Sequence, residues 1–137
     1  MTHYLDTSVL VSLFHQDIHT ERATTWIAGV SDFVLSTWAL AEFTSALAVQ
    51  ARMKRLADGD RSGLEIRLDR WIPTRVVLPV IDGDMIQARQ LVRADTRLRA
   101  ADALHLAVAA RHGCTLATLD KDMAEVAQAV GLRVDGP

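Results

Sequence analysis

The sequence predicts an α/β fold, a three-layer α/β/α sandwich around a central parallel sheet of four to five strands. Short β-rich apolar runs alternate with longer segments of helical periodicity along the 137 residues. Strands separated by helices read as βαβ units, which build a parallel sheet covered on both faces. The length suits one domain, 1–137, with no room for a second core. Half of the residues are apolar, which excludes a disordered chain.

Each element follows from its own pattern. Residues 3–5 read as a short strand ending at Asp6, with a helix over 7–15 after it. His19 to Val30 reads as a second helix, Phe33-Val34-Leu35 as a strand, and Thr37 to Arg55 as a long helix apolar on most faces. Ala57-Asp58-Gly59-Asp60 reads as a turn. Residues 58–72 place Leu64, Leu68 and Trp71 at helical spacing. The run 76–81 is β-rich, and its internal Pro79 predicts an edge strand or one that begins late. Helices over 82–95 and 100–112 follow, the second closed by Gly113. A strand over 114–118, a helix over 120–130 ended by Gly131, and a last strand over 132–134 complete the chain.

Composition narrows the function. The single cysteine, Cys114, excludes an intrachain disulfide and a Cys-rich zinc site, and it fits a reducing cytoplasm. Met1 to Asp6 lacks the basic start and apolar run of a secretory signal. Residues 33–51 carry only one charge, but Glu42 lies at their centre, where a bilayer would penalise it most. A soluble, cytoplasmic protein with no membrane partner is expected. The formal net charge of −2 supplies no global field for nucleic acid. Thirteen of the fifteen basic residues are arginine, a bias compatible with RNA and equally with a GC-rich genome.

Four acidic residues stand out. In open parallel sheets ligands bind beyond the carboxyl ends of the strands. Asp6 follows the first strand, and Asp120 follows the apolar part of 114–117. Either one alone reads best as the N-cap of its following helix. Glu42 and Asp102 are each the lone acid in an apolar helix, and such residues are seldom buried unpartnered. Asp102 gains from a position in the first turn of its helix. Glu42 is mid-helix, so it needs a buried arginine or a narrow exposed stripe. If the four converged, their repulsion would call for a cation. Clustered oxygen donors suit Mg²⁺ or Mn²⁺, and those ions support displacement at phosphorus. Phosphodiester hydrolysis follows more readily than acyl or glycosyl chemistry.

The order and spacing of these residues resemble the PIN-domain family over essentially the whole chain. Tyr4-Leu5-Asp6-Thr7-Ser8 resembles its first motif and Ala41-Glu42-Phe43 its second. Leu98-Arg99-Ala100-Ala101-Asp102-Ala103-Leu104-His105-Leu106-Ala107 is the most specific match, and Ala117-Thr118-Leu119-Asp120-Lys121-Asp122 resembles the fourth motif. The resemblance implies a PIN-like fold and makes Asp6, Glu42, Asp102 and Asp120 the metal-binding and catalytic acids. Ser8 and Thr118 become polar supports, and Asp122 an additional acid or a helix cap. The implied reaction is cleavage of single-stranded RNA by a metal-activated water. The motifs most resemble the VapC-like branch, which implies a homodimer held inactive by a small VapB-like antitoxin.

Other residues read more plainly. Arg52, Lys54, Arg55, Arg93, Arg97 and Arg99 flank the acids in sequence, and solvated helix ends explain most of them. Arg99, three residues before Asp102, is the one best placed to act near the site. His105 reads as a satisfied core histidine ahead of a ligand. Trp26, Trp38 and Trp71 read as core or interface residues. A haloacid-dehalogenase-type phosphatase wants an Asp where Ser8 stands, and no nucleophile elbow surrounds Ser8 or Ser36. A non-catalytic module whose acidic pocket docks an Arg-bearing partner is the alternative.

Overall fold

The computed structural model describes residues 1–137. Its elements, in order, are β1 (His3–Leu5), α1 (Thr7–Phe14), α2 (Thr20–Ala28), β2 (Phe33–Ser36), α3 (Thr37–Arg52) and α4 (Asp58–Trp71). A 3₁₀ turn (Ile72–Thr74) leads into β3 (Val76–Leu78), α5 (Asp82–Ala94), α6 (Ala100–Arg111), β4 (Thr115–Ala117) and α7 (Lys121–Ala129). The four strands run parallel in the order β3-β2-β1-β4. A parallel bridge between Leu116 and Val134 is all that forms of the last expected strand. The α/β sandwich with four parallel strands is therefore the observed fold.

Strand alternation divides the core. Tyr4, Val34 and Leu116 point into a cluster with α5, α6 and α7, built around Leu104, Leu106, Val108 and Val126. Their neighbours Leu5, Leu35 and Ala117 point the other way, onto Val9, Leu10, Phe43, Leu47 and Leu68 of α1, α3 and α4. A two-residue period on three adjacent strands thus yields two buried faces.

Several boundaries differ from the sequence reading. The stretch 57–60 is not a turn, because α4 begins at Asp58, and Asp58 and Asp60 complement the helix dipole in its first turn. The β-rich run pairs only as far as Leu78, since Pro79 lacks the N–H to continue the ladder. As Pro79 implied, β3 is an edge strand. Gly113 and Gly131 follow the ends of α6 and α7 with φ of 64° and 87°, left-handed conformations that glycine adopts without a Cβ penalty.

Connectivity positions the site. From β1 the chain steps to β2 and β3 on one side, then crosses to β4 on the other side of β1. The crevice at the carboxyl ends of β1 and β4 is the switch point where such sheets bind ligands. Asp6 lies at its mouth, with its backbone N–H bonded to the carbonyl of Ala117 at 3.1 Å.

Candidate active site

Asp6 is 3% exposed and fully engaged. Oδ1 accepts from Ser8 Oγ at 2.6 Å and from the Val9 N–H at 3.1 Å, which makes Asp6 the N-cap of α1. Oδ2 accepts from Thr118 Oγ1 at 2.5 Å. Burial nevertheless lifts its carboxyl above the ordinary value, against the hydrogen bonds from Ser8 and Thr118. Ser8 Oγ accepts the Leu119 N–H at 3.0 Å, and Thr118 Oγ1 accepts the Asp120 N–H at 3.0 Å. The two hydroxyls therefore clasp Asp6 to the segment after β4.

Asp120 is the exposed N-cap of α7, with Oδ1 accepting from the Met123 N–H at 3.1 Å. Asp122 is exposed in the first turn of the same helix. There it complements the helix dipole.

Glu42 has found a partner, and that partner is a histidine. Its Oε1 accepts from His105 Nε2 at 2.5 Å and from Thr7 Oγ1 at 2.7 Å. Burial raises the Glu42 carboxyl, but the bonds from His105 and Thr7 outweigh it and hold the group below its ordinary value. Asp102 occupies the first turn of α6. Burial pushes its carboxyl above the ordinary value and the charge of Asp120 adds to the push. The Arg99 backbone and His105 oppose these effects, and Glu42 reinforces them. Arg99 itself sits at the N-cap position of α6 with an exposed side chain that makes no cap bond.

No lysine or arginine is ion-paired with any of the four acids. The structure places Asp102 within the electrostatic reach of Asp120, His105 and Glu42, and Asp6 and Glu42 within that of His105. It does not press them into a closed cage: no three His, Cys, Asp or Glu side chains form a ready metal-binding group. A groove of about 420 Å³ is lined by Thr7, Ser8, Ser12, Asp17 and His19 together with Val11, Ala46 and Leu119, and of the four acids only Asp120 reaches it. The largest cavity, about 920 Å³, is apolar, and none of the four acids lines it.

Of the flanking cations, Arg97 is committed to Asp95 and Glu125, while Arg52 ends α3 and Arg93 ends α5. Trp71 stacks on Phe33, and Trp38 donates its indole N–H to the Ala101 carbonyl at 3.2 Å. Sequence reasoning passed over Thr7 and Tyr4, both of which contact the group around Glu42 or His105. Tyr4 carried a readable signal, because it shares strand parity with Asp6.

A sequence profile of the PIN domain matches residues 3–129. The chain belongs to the PIN-domain family. Similar solved structures include FitAcB from Neisseria gonorrhoeae, with 26% identity and a TM-score of 0.76 over 96% of this chain and 95% of that one. VapC20 from Mycobacterium tuberculosis, a sarcin–ricin loop cleaving toxin, is 22% identical, with a TM-score of 0.74 over 98% of this chain and 99% of that chain. DNA-bound VapBC from Salmonella typhimurium is 15% identical, with a TM-score of 0.71 over 99% and 98%. No curated protein sequence matches. Structural likeness at the two lower identities speaks for the fold. For the PIN-domain chain described here, the VapC-like resemblance read from the motifs and the structural neighbourhood agree. No helix of the chain is long and apolar enough to cross a membrane.

Proposed function

We propose that this PIN-domain protein is a metal-dependent endoribonuclease that cleaves single-stranded RNA, and that it is the toxin of a VapBC-like toxin–antitoxin pair. The observation that carries the reading is electrostatic. Acids on four separate elements have no lysine or arginine ion partner, and Asp102 lies within the electrostatic reach of Asp120 and Glu42. That donor set, all carboxylate oxygen apart from the His105 contact, fits a hard divalent cation such as Mg²⁺ or Mn²⁺. Asp6, Glu42, Asp102 and Asp120 would hold it. When bound, the ion supplies Lewis acidity toward a phosphate oxygen and lowers the pKa of water.

The chain's own residues have separate tasks in this reading. Ser8 and Thr118 hold Asp6 rigidly at the crevice floor. Thr7 and His105 keep Glu42 ionised and oriented. Asp102, raised first by burial and then by the charges of Asp120 and Glu42, is a group whose ionised form a cation would relieve. Asp120, exposed at the rim, and the groove beside it offer the approach for a phosphodiester chain.

Likeness to FitAcB and to a VapC toxin supports the toxin assignment, and a VapB-like antitoxin, a homodimer and a cytoplasmic site of action are part of the same proposal. The test is incubation of total RNA with purified protein and Mg²⁺ or Mn²⁺, beside an EDTA control and Asp102→Asn. Discrete metal-dependent fragments, absent with Asp102→Asn, are the expected result. No cleavage with either ion, once bound antitoxin is excluded, would leave an acidic pocket that docks an Arg-bearing partner.

A further inference from the structure

Behind the acids runs a buried chain of hydrogen bonds. The Ala39 N–H donates to Ser36 Oγ at 3.1 Å, and Ser36 Oγ lies 2.7 Å from Tyr4 Oη. Tyr4 Oη lies 2.7 Å from His105 Nδ1, and His105 Nε2 lies 2.5 Å from Glu42 Oε1. Tyr4 and Ser36 are fully buried and His105 is 2% exposed. Burying three polar side chains where leucines would pack costs free energy unless every one is bonded. Here every one is.

Two features go beyond packing. The path starts at the N-cap of α3, passes through β1 and α6, and returns to Glu42 within α3. It thereby joins the elements that carry Asp6, Glu42 and Asp102. It also has a direction. An ionised Glu42 only accepts, so His105 Nε2–H donates to it whether the imidazole is neutral or charged. Thr7 donates to the same oxygen, and Oε2 receives no bond from the chain.

We propose that Tyr4 and His105 are positioning residues that lock Glu42 so that Oε2 alone faces the acidic crevice, as a single-oxygen ligand for a divalent cation. The proposal rests on the metal-binding reading of the site. Carboxylate ligands are commonly oriented by such partners, and their loss costs about 10–100-fold in metal affinity.

The experiment is calorimetric titration of Mn²⁺ into the full chain and its variants, with melting curves for each. His105→Leu is expected to weaken Mn²⁺ binding by about 10–100-fold. His105→Gln, which keeps an N–H donor, is expected to recover most of that loss, and Tyr4→Phe to weaken binding by a smaller factor. In nitrogen-edited NMR the His105 Nε2–H proton should resonate far downfield and move upfield in Glu42→Gln. Folded His105→Leu with undiminished Mn²⁺ affinity would overturn the positioning role alone. Equal affinity loss in His105→Gln and His105→Leu would reduce it to core packing. If His105→Leu does not fold, Tyr4→Phe, which keeps the ring, decides by the same criterion. No Mn²⁺ binding by the unaltered chain would sink the metal reading and this role with it.

Discussion

At Asp6 and Asp120 one carboxylate meets two demands, capping a helix and charging the crevice. The demands separate on substitution. Asparagine caps as well as aspartate. Asp120→Asn is therefore expected to keep folding stability within about 0.5 kcal/mol while abolishing RNA cleavage, whereas Asp120→Ala also loses about 1 kcal/mol. Urea melts beside cleavage assays check this, and equal destabilisation by both variants would show that charge holds α7. Asp102 presents the opposite case, since burial and the charges of Asp120 and Glu42 penalise its ionised form. In metal-free buffer at neutral pH, Asp102→Asn should melt no lower than the unaltered chain, with solvent screening keeping any rise small. A lower melting temperature would mean that Asp102 supports the fold. Glu42 and Asp102 stood out in the sequence because a lone acid in an apolar helix needs an explanation, and Asp6 and Asp120 because they follow strands. The partner of Glu42 did not stand out, because His105 is 63 residues away and meets it only through packing.

At the scale of elements, α5 and α6 are tied by an ion pair between the buried Asp84 and the exposed Arg111. Asp84 is 1% exposed and accepts from Arg111 Nε at 2.7 Å and Nη2 at 3.0 Å, and from the Ile81 N–H at 3.0 Å. Burial raises the Asp84 carboxyl, but the bonds from Arg111 and Ile81 prevail and hold it below its ordinary value. A depressed carboxyl contributes stability above its unfolded pKa, about 4, and loses it as pH falls through the lower folded value. Arg111→Met strands the carboxylate and should cost about 2–3 kcal/mol at neutral pH. The gap to the unaltered chain should narrow on acidification, as protonation relieves the stranded group. A gap constant from pH 7 to pH 3 in urea titrations would remove the pair from the account. Element types and order were readable from periodicity. Ends were less readable: α3 stops at Arg52 rather than Arg55, and Pro79 stops β3 at Leu78.

For the whole molecule, the sheet separates two cores. Phe43 belongs to the cluster on one face and Leu106 to that on the other, each with no exposed surface. Phe43→Ala is expected to cost about 3–5 kcal/mol and Leu106→Ala about 2–5 kcal/mol. Because the sites share no partners, the double variant should match the sum within about 0.5 kcal/mol in urea unfolding, and a larger departure would mean that the sheet couples the two faces.

The sequence by itself determined the parallel α/β architecture and the family, and it singled out the acids on which the proposed function rests. Periodicity, caps and motif order are local properties, and each is written within a few residues. Only the tertiary structure decided that β4 lies beside β1 rather than β3, and so created the crevice between Asp6 and Asp120. It likewise decided that Tyr4, Ser36 and His105 join in one path to Glu42. Strand order and side-chain pairing across 101 residues, as between Tyr4 and His105, depend on how the layers close around a shared core. No local pattern encodes that closure.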